Sequence, residues 1–115
     1  MVVGYYSLTA GSVRKQEAPA RVGKGMPNYP LGVILLARLA VDRRERGTGL
    51  GGALMKDALT RCLSAADTIG ARAVLVHALD EEARSFYEHF DFERCPGNDL
   101  HLMLRIQDLR ASVSA

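Results

Sequence analysis

The strongest constraint on this chain is a run of three segments that together can fold in few ways. Residues 32–41, GVILLARLAV, are short, apolar and partly β-branched, as expected of a strand buried on both faces. A basic loop and four glycines, at 47, 49, 51 and 52, then lead into residues 50–69. There Lys56, Asp57, Thr60, Arg61, Ser64, Asp67 and Thr68 fall on one stripe at helical spacing. Leu50, Leu54, Leu59, Cys62, Leu63, Ala66 and Ile69 cover the remaining surface, so the pattern predicts a helix buried over most of its girth and stopped by Gly70. Residues 72–78, RAVLVHA, read as a second buried strand. A strand–helix–strand crossover of this kind lays its two strands parallel.

The flanking segments complete one domain, which is all that 115 residues allow. Residues 1–9 read as a strand, and residues 11–30, with Gly11, Gly23, Gly25, Pro27 and Pro30, as a loop with room for a short helix. Asp80 is placed to cap a second helix whose first turn carries Glu81 and Glu82 against the positive dipole end. Ala83, Phe86, Tyr87 and Phe90 share one face of it. Two short strands follow near 92–95 and 100–106 across the turn Pro96-Gly97-Asn98-Asp99. The expected order is β-β-α-β-α-β-β, a mixed α/β sheet.

Several classes drop out. No apolar run approaches the ~18–20 residues of a membrane span, and the opening MVVGYYSLTA lacks the pattern of a secretory signal. Two cysteines, Cys62 and Cys95, fit a reducing compartment, so a cytoplasmic location is expected. Three histidines and no CxxC exclude the usual structural zinc sites, and no metal is expected. His77, His89, Cys62 and Cys95 read as structural residues without an activating partner.

The net charge of +2 hides an asymmetry. Residues 1–52 hold eight basic and three acidic residues, a charge of +5, while residues 53–115 hold seven and ten, a charge of −3. Arg38, Arg43, Arg44 and Arg46 crowd one stretch, which attracts a polyanion or serves as a solvated loop. Four glycines in six residues before a helix suit an anion: the amides and the positive dipole end converge there. A Walker A loop fails, because Gly52-Ala53-Leu54 stands where Gly-Lys-Ser/Thr is needed. A dinucleotide fingerprint is matched by Gly47, Gly49 and Gly52, with Asp80 a possible ribose ligand. That motif should follow its strand at once, however, and residues 42–46 intervene.

Arg46-Gly47-Thr48-Gly49-Leu50-Gly51 resembles the Arg/Gln-x-x-Gly-x-Gly acyl-CoA motif of the GNAT N-acetyltransferases. The likeness spans almost the whole chain. ILLARLAVD resembles the family's fourth strand, LGGALMKDAL its third helix, RAVLVHA its fifth strand and ARSFYEHFDFE its fourth helix with the start of the sixth strand. More narrowly, GYYSLTAGSV, LARLAVDRRERGTGLGGALMKDAL, FYEHFDFE and LHLML are similar to the GNAT toxins of toxin–antitoxin pairs. Those enzymes acetylate the amino group of aminoacyl-tRNA and are neutralised by a ribbon-helix-helix antitoxin.

The resemblance implies acetyl-CoA as cosubstrate. Backbone amides of Gly47, Thr48, Gly49, Leu50, Gly51 and Gly52 would hold the pyrophosphate, with Arg46 opening the loop. Leu39 and Val41 would pair through their backbone with the pantetheine arm, and an amide there would polarise the thioester carbonyl. Tyr87 matches the family's tyrosine that protonates the departing thiolate; on pattern alone it reads as a core residue of its helix. Asp91 stands where the family usually has glycine. A strand, two helices and a further strand that open a GNAT domain have no counterpart, so residues 1–115 are expected to form a single GNAT domain that is N-terminally incomplete. Its exposed sheet edge implies a homodimer. A small-molecule or protein amine as acceptor, an inactive module that binds CoA or antitoxin, and a nicotinamide-dinucleotide binder are the alternatives.

Overall fold

The computed structural model describes residues 4–27, 30–41 and 50–114. Five strands form one mixed sheet: β1 (Gly4–Val13), β2 (Leu31–Val41), β3 (Ala73–His77), β4 (Glu93–Cys95) and β5 (Asn98–Arg105), in the order β1-β2-β3-β5-β4. The helices are α1 (Ala20–Gly23), α2 (Leu50–Ile69), α3 (Glu81–His89) and α4 (Ile106–Ser114). Only β2 and β3 run parallel, joined by α2 as the sequence predicts; the other pairs are antiparallel.

The crossover helix buries Met55, Ala58, Leu59, Cys62 and Ala66, and its polar stripe faces outward. Ile69, expected on the buried side, is 47% exposed, because it lies in the last turn beyond Ala66, the final residue packed into the core. Gly70 ends the helix at φ +71°, and the Ala71 amide donates back to the Ala66 carbonyl at 3.0 Å, a Schellman closure. Asp80 caps α3 by accepting from the Ala83 amide at 2.8 Å. Asp91, where the family usually has glycine, takes φ +70° after that helix, a left-handed conformation that aspartate tolerates.

Three boundaries differ from expectation. First, β1 continues to Val13 through Gly11, since each added residue finds a partner on β2, as far as Val13 opposite Leu31. Second, the β4–β5 turn is only Pro96-Gly97: proline fixes φ at the first position, and Gly97 supplies φ +78° at the second. Third, the chain ends in a helix that the sequence reading omitted. Ile106 and Leu109 of α4 are buried one turn apart, and Asp108 lies in its first turn.

The sheet separates two apolar clusters. On one side α2, α3 and α4 meet Ile34, Leu36, Val74, Val76, Leu102 and Leu104. On the other, the segment with a 3-10 turn at Lys15–Glu17 and α1 covers Leu31, Val33, Ala73 and Met103 through Ala18 and Val22. No helix among the described residues is long and apolar enough to cross a membrane.

Candidate active site

The site is built on a parting of two parallel strands. The β2–β3 register runs from Val33–Ala73 to Leu36–Val76 and stops, whereas β2 continues to Val41, paired with β1 alone. Beyond Leu36 the side of β2 that faced β3 therefore has no strand among the described residues. The β1–β2 ladder is irregular at the same place. Between Tyr5–Ala40 and Ser7–Ala37, β1 passes one residue while β2 passes two, Arg38 and Leu39. Two residues opposite one make a β-bulge, which bends the strand and re-aims its backbone groups. Leu39 thus sits in the bulge and Val41 at the free end of β2, each with backbone groups an extended ligand arm can pair with.

Leu50, Gly51 and Gly52 occupy the first turn of α2, where amides have no partner within the helix and the dipole favours an anion. A Cβ built at Gly52 would stand 3.8 Å from Phe90 Cζ, ordinary contact, so packing does not demand glycine there. The same distance places the end of α3 against the start of α2. Arg46, Gly47, Thr48 and Gly49 lie outside the described residues, as do Arg43 and Arg44. The parts that are described suit acetyl-CoA: a free backbone edge for an amide-bearing arm, and a helix start with glycines at 51 and 52 for a pyrophosphate.

Tyr87 is brought to this junction by α3. Its ring is 7% exposed and packs at 5.7 Å, centroid to centroid, from both Phe86 and Phe92, within the cluster that holds Leu36 and Val76. Its hydroxyl makes no hydrogen bond among the described residues. Burial raises the phenol above its ordinary value, so it holds its proton through neutral pH. A cavity of about 410 Å³ lies nearby under α2, α3 and α4, lined by Lys56, Leu59, Phe90 and Leu109, but Tyr87 is outside it.

The remaining candidates divide. Cys62 and Cys95 are buried, and burial pushes each thiol up to about 11, so neither is a nucleophile at neutral pH. His89 is exposed on α3 as expected. His77 departs from expectation: it is the one outward-facing residue of β3, and its ring stacks on His101 of β5, with centroids 3.9 Å apart and planes 12° from parallel. Its sequence signal was masked by the four buried residues before it. Only the β3–β5 register, which sets His77 opposite His101, brings the pair together. Among the described residues no cluster of three metal-ligating side chains occurs.

A mixed sheet whose parallel strands part beside a glycine-led helix and a buried tyrosine is the architecture of an acyl-CoA-dependent transferase. The acetyltransferase (GNAT) domain family matches residues 25–101, and the chain belongs to that family, whose cosubstrate is acetyl-CoA. It is 59% identical over 112 residues to a tRNA-acetylating toxin of Mycobacterium tuberculosis, covering 97% of this chain and 67% of that protein. Among solved structures it resembles AtaT complexed with acetyl-methionyl-tRNAfMet (TM-score 0.87, 27% identity, 96% of this chain and 66% of that one). It also resembles AtaTR bound with acetyl-CoA (TM-score 0.75, 28% identity, 96% and 66%). The chain thus spans about two thirds of the length of the relatives it matches.

Proposed function

We propose that this chain transfers the acetyl group of acetyl-CoA to the α-amino group of an aminoacyl-tRNA, as the toxin of a toxin–antitoxin pair. The observation that carries this reading is the 59% identity, sustained over 97% of the chain, to a protein named for acetylating tRNA. The parted strands and the glycine-led helix support it from the geometry.

In this reading the chain's residues divide the work. The amides of Gly47, Thr48, Gly49, Leu50, Gly51 and Gly52, with Arg46 at the loop's start, hold the pyrophosphate. The backbone of Leu39 and Val41 aligns the pantetheine arm in the gap left by β3, and a backbone N–H of the bulge donates to the thioester oxygen as charge develops on it. Tyr87 gives its proton to the leaving sulfur. A phenol of pKa ~10 or somewhat above protonates a thiolate of conjugate pKa ~8.5 only late in bond cleavage, when charge has built up on sulfur. Arg38, Arg43, Arg44 and Arg46 supply positive charge for the tRNA backbone. A ribbon-helix-helix antitoxin is the proposed neutralising partner. A homodimer is the proposed assembly, supported by the long edge strand β1, which pairs on one side only among the described residues.

The test is incubation with radiolabelled acetyl-CoA and a pool of charged tRNAs, followed by mass spectrometry of the released aminoacyl adenosines. N-acetylated aminoacyl adenosine is the expected product. Acetyl transfer to free amines or proteins, with none to charged tRNA, would replace the acceptor and leave the family chemistry standing.

A further inference from the structure

The acceptor's nitrogen must lose a proton before it can attack, because an α-ammonium group has no lone pair. The proposed roles above supply an acid for the sulfur and no group to receive that proton. The His77–His101 stack lies where such a group is needed. Val76, the last residue of β3 paired with β2, belongs to the cluster that contains Tyr87. His77 follows it directly and alternates to the opposite side of the sheet, beside the opening that β2 leaves. Tyr87 packs into the cluster on one side of the sheet, and His77 stands on the other side, one residue past the end of the β2–β3 pairing.

That opposite side is accessible. The segment from Lys15 to Gly23 covers the far end, over Leu31, Val33 and Ala73, whereas His77 and Thr9 are exposed. The neighbouring β2 positions on this side, Leu35 and Ala37, carry no polar side chain, and Ser7 lies opposite Ala37 on β1. Among the described side chains on this side, His77 and His101 are the titratable groups paired across β3 and β5 at the end where β2 departs. Glu93, Asp99 and Arg105 alternate to the same side on β4 and β5, and Cys95 is buried in it.

We propose that the His77–His101 pair is the proton acceptor for the substrate amine, with His77 taking the proton and His101 stacked against it. Neither imidazole makes a hydrogen bond among the described residues, so a ring nitrogen lone pair of His77 is free to accept. Two rings 3.9 Å apart repel a second proton. Partial desolvation, reinforced by His101, lowers the proton affinity of His77, which favours its neutral, proton-accepting form.

The step balances. His77 takes one N–H proton from the ammonium, and the freed lone pair bonds to the thioester carbonyl carbon. As the C–S bond breaks, Tyr87 gives its phenolic proton to sulfur. The second proton leaving nitrogen restores Tyr87 through solvent, and the His77 imidazolium releases its proton to water. The net products are an acetamide, a CoA thiol and one proton.

This inference rests on the proposed acetyl transfer, and its test separates the two. The pH dependence of kcat/KM is measured for the wild type, His77→Gln and His101→Gln with charged tRNA, alongside calorimetric binding of acetyl-CoA. His77→Gln is expected to bind acetyl-CoA normally and to lose up to about tenfold in rate at pH 7, the factor by which an amine of pKa ~7.7–8.0 is held protonated there. That deficit should shrink toward pH 9, where the acceptor amine (pKa ~7.7–8.0) is already neutral. His101→Gln should shift the acidic limb of the profile to higher pH. A wild-type profile in His77→Gln, or a deficit equal at all pH values, would overturn the assignment. If the wild type does not acetylate charged tRNA, the tRNA reading fails by itself, and the same comparison is made with amino-acid methyl esters. No transfer to either acceptor by the wild type overturns both.

Discussion

Gly32 of β2 passes so close to Gly70, at the end of α2, that a Cβ on Gly32 would stand 3.1 Å from the Gly70 carbonyl oxygen. The Gly32 carbonyl in turn accepts from the Arg72 amide at 2.7 Å. The crossover is thus closed backbone to backbone: the chain leaving α2 is fastened to the start of the strand from which the crossover set out. Gly32→Ala forces that carbonyl or the strand to shift, and overpacking of this kind costs about 1–3 kcal/mol. Thermal denaturation should place the midpoint lower by roughly 4–8 °C per kcal/mol in a domain of this size. A midpoint equal to wild type would mean that the contact relaxes without cost.

Asp108 holds the other end of the sheet. Arg21 of α1 donates Nε and Nη2 to its two oxygens, both at 2.8 Å, and Arg105 donates to the same oxygens at 3.1 and 2.7 Å. The Arg21 hydrogen bonds first, and those of Arg105 next, hold its carboxyl well below the usual carboxylate range. A carboxyl with a folded value below its unfolded ~3.9 adds stability that is present above ~3.9 and lost as pH falls through the folded value. Asp108→Asn should therefore lower the midpoint by about 4–8 °C at pH 7, the equivalent of about 1 kcal/mol. The gap between the two proteins should narrow below pH 4. A gap that stays constant down to pH 2 would remove the ion pair as its cause.

What the sequence discloses follows from how local each cause is. The crossover helix, its Gly70 stop and the Asp80 cap are dictated by residues within one turn of each other, and all are legible. The parting of β2 from β3 was not, since nothing in GVILLARLAV marks where its neighbour leaves. The bulge at Arg38 and Leu39 depends on the register with β1, a relation between segments some thirty residues apart. Tyr87 shows the limit for the site: its spacing with Phe86 and Phe90 reads as a core residue, and only the family likeness points to a proton donor. His77 was misjudged because burial of β3 on both faces ends one residue before it. The helix α4 had a readable signal in Ile106, Asp108 and Leu109, overlooked at the end of a strand.

Both thiols should behave as packing residues. Cys62 is fully buried on α2 and Cys95 is 6% exposed, and burial has pushed each up to about 11. At pH 8 the thiolate fraction is then about a thousandth, and access is closed as well. An aromatic disulfide reagent should label neither within the time it labels both in denaturant. Fast labelling of one thiol in the folded chain would show that its surroundings open.

Gly52→Ala should move stability and binding in opposite directions. A Cβ there meets Phe90 Cζ at 3.8 Å, which the fold accommodates, and replacing glycine within a helix gains up to about 0.5–1 kcal/mol. The thermal midpoint should rise. If the first turn of α2 receives the pyrophosphate, the added methyl group crowds it, and calorimetry should show weaker acetyl-CoA binding. A rise in midpoint with unchanged affinity would place the pyrophosphate away from residue 52.

Tyr87→Phe isolates the hydroxyl from the ring. The ring is what packs against Phe86 and Phe92, and the hydroxyl has no hydrogen bond among the described residues, so the variant should keep its midpoint and its acetyl-CoA affinity. Turnover should fall about 10²-fold, the usual range for removal of a general acid. The pH profile carries independent information. Because burial raises the phenol above its ordinary value of ~10, the wild type should retain its acid through pH 9 and lose rate only at still higher pH. A carboxylic or imidazole donor would fail several units lower, so an alkaline limb near pH 7–8 that persists in Tyr87→Phe would assign the proton to another group.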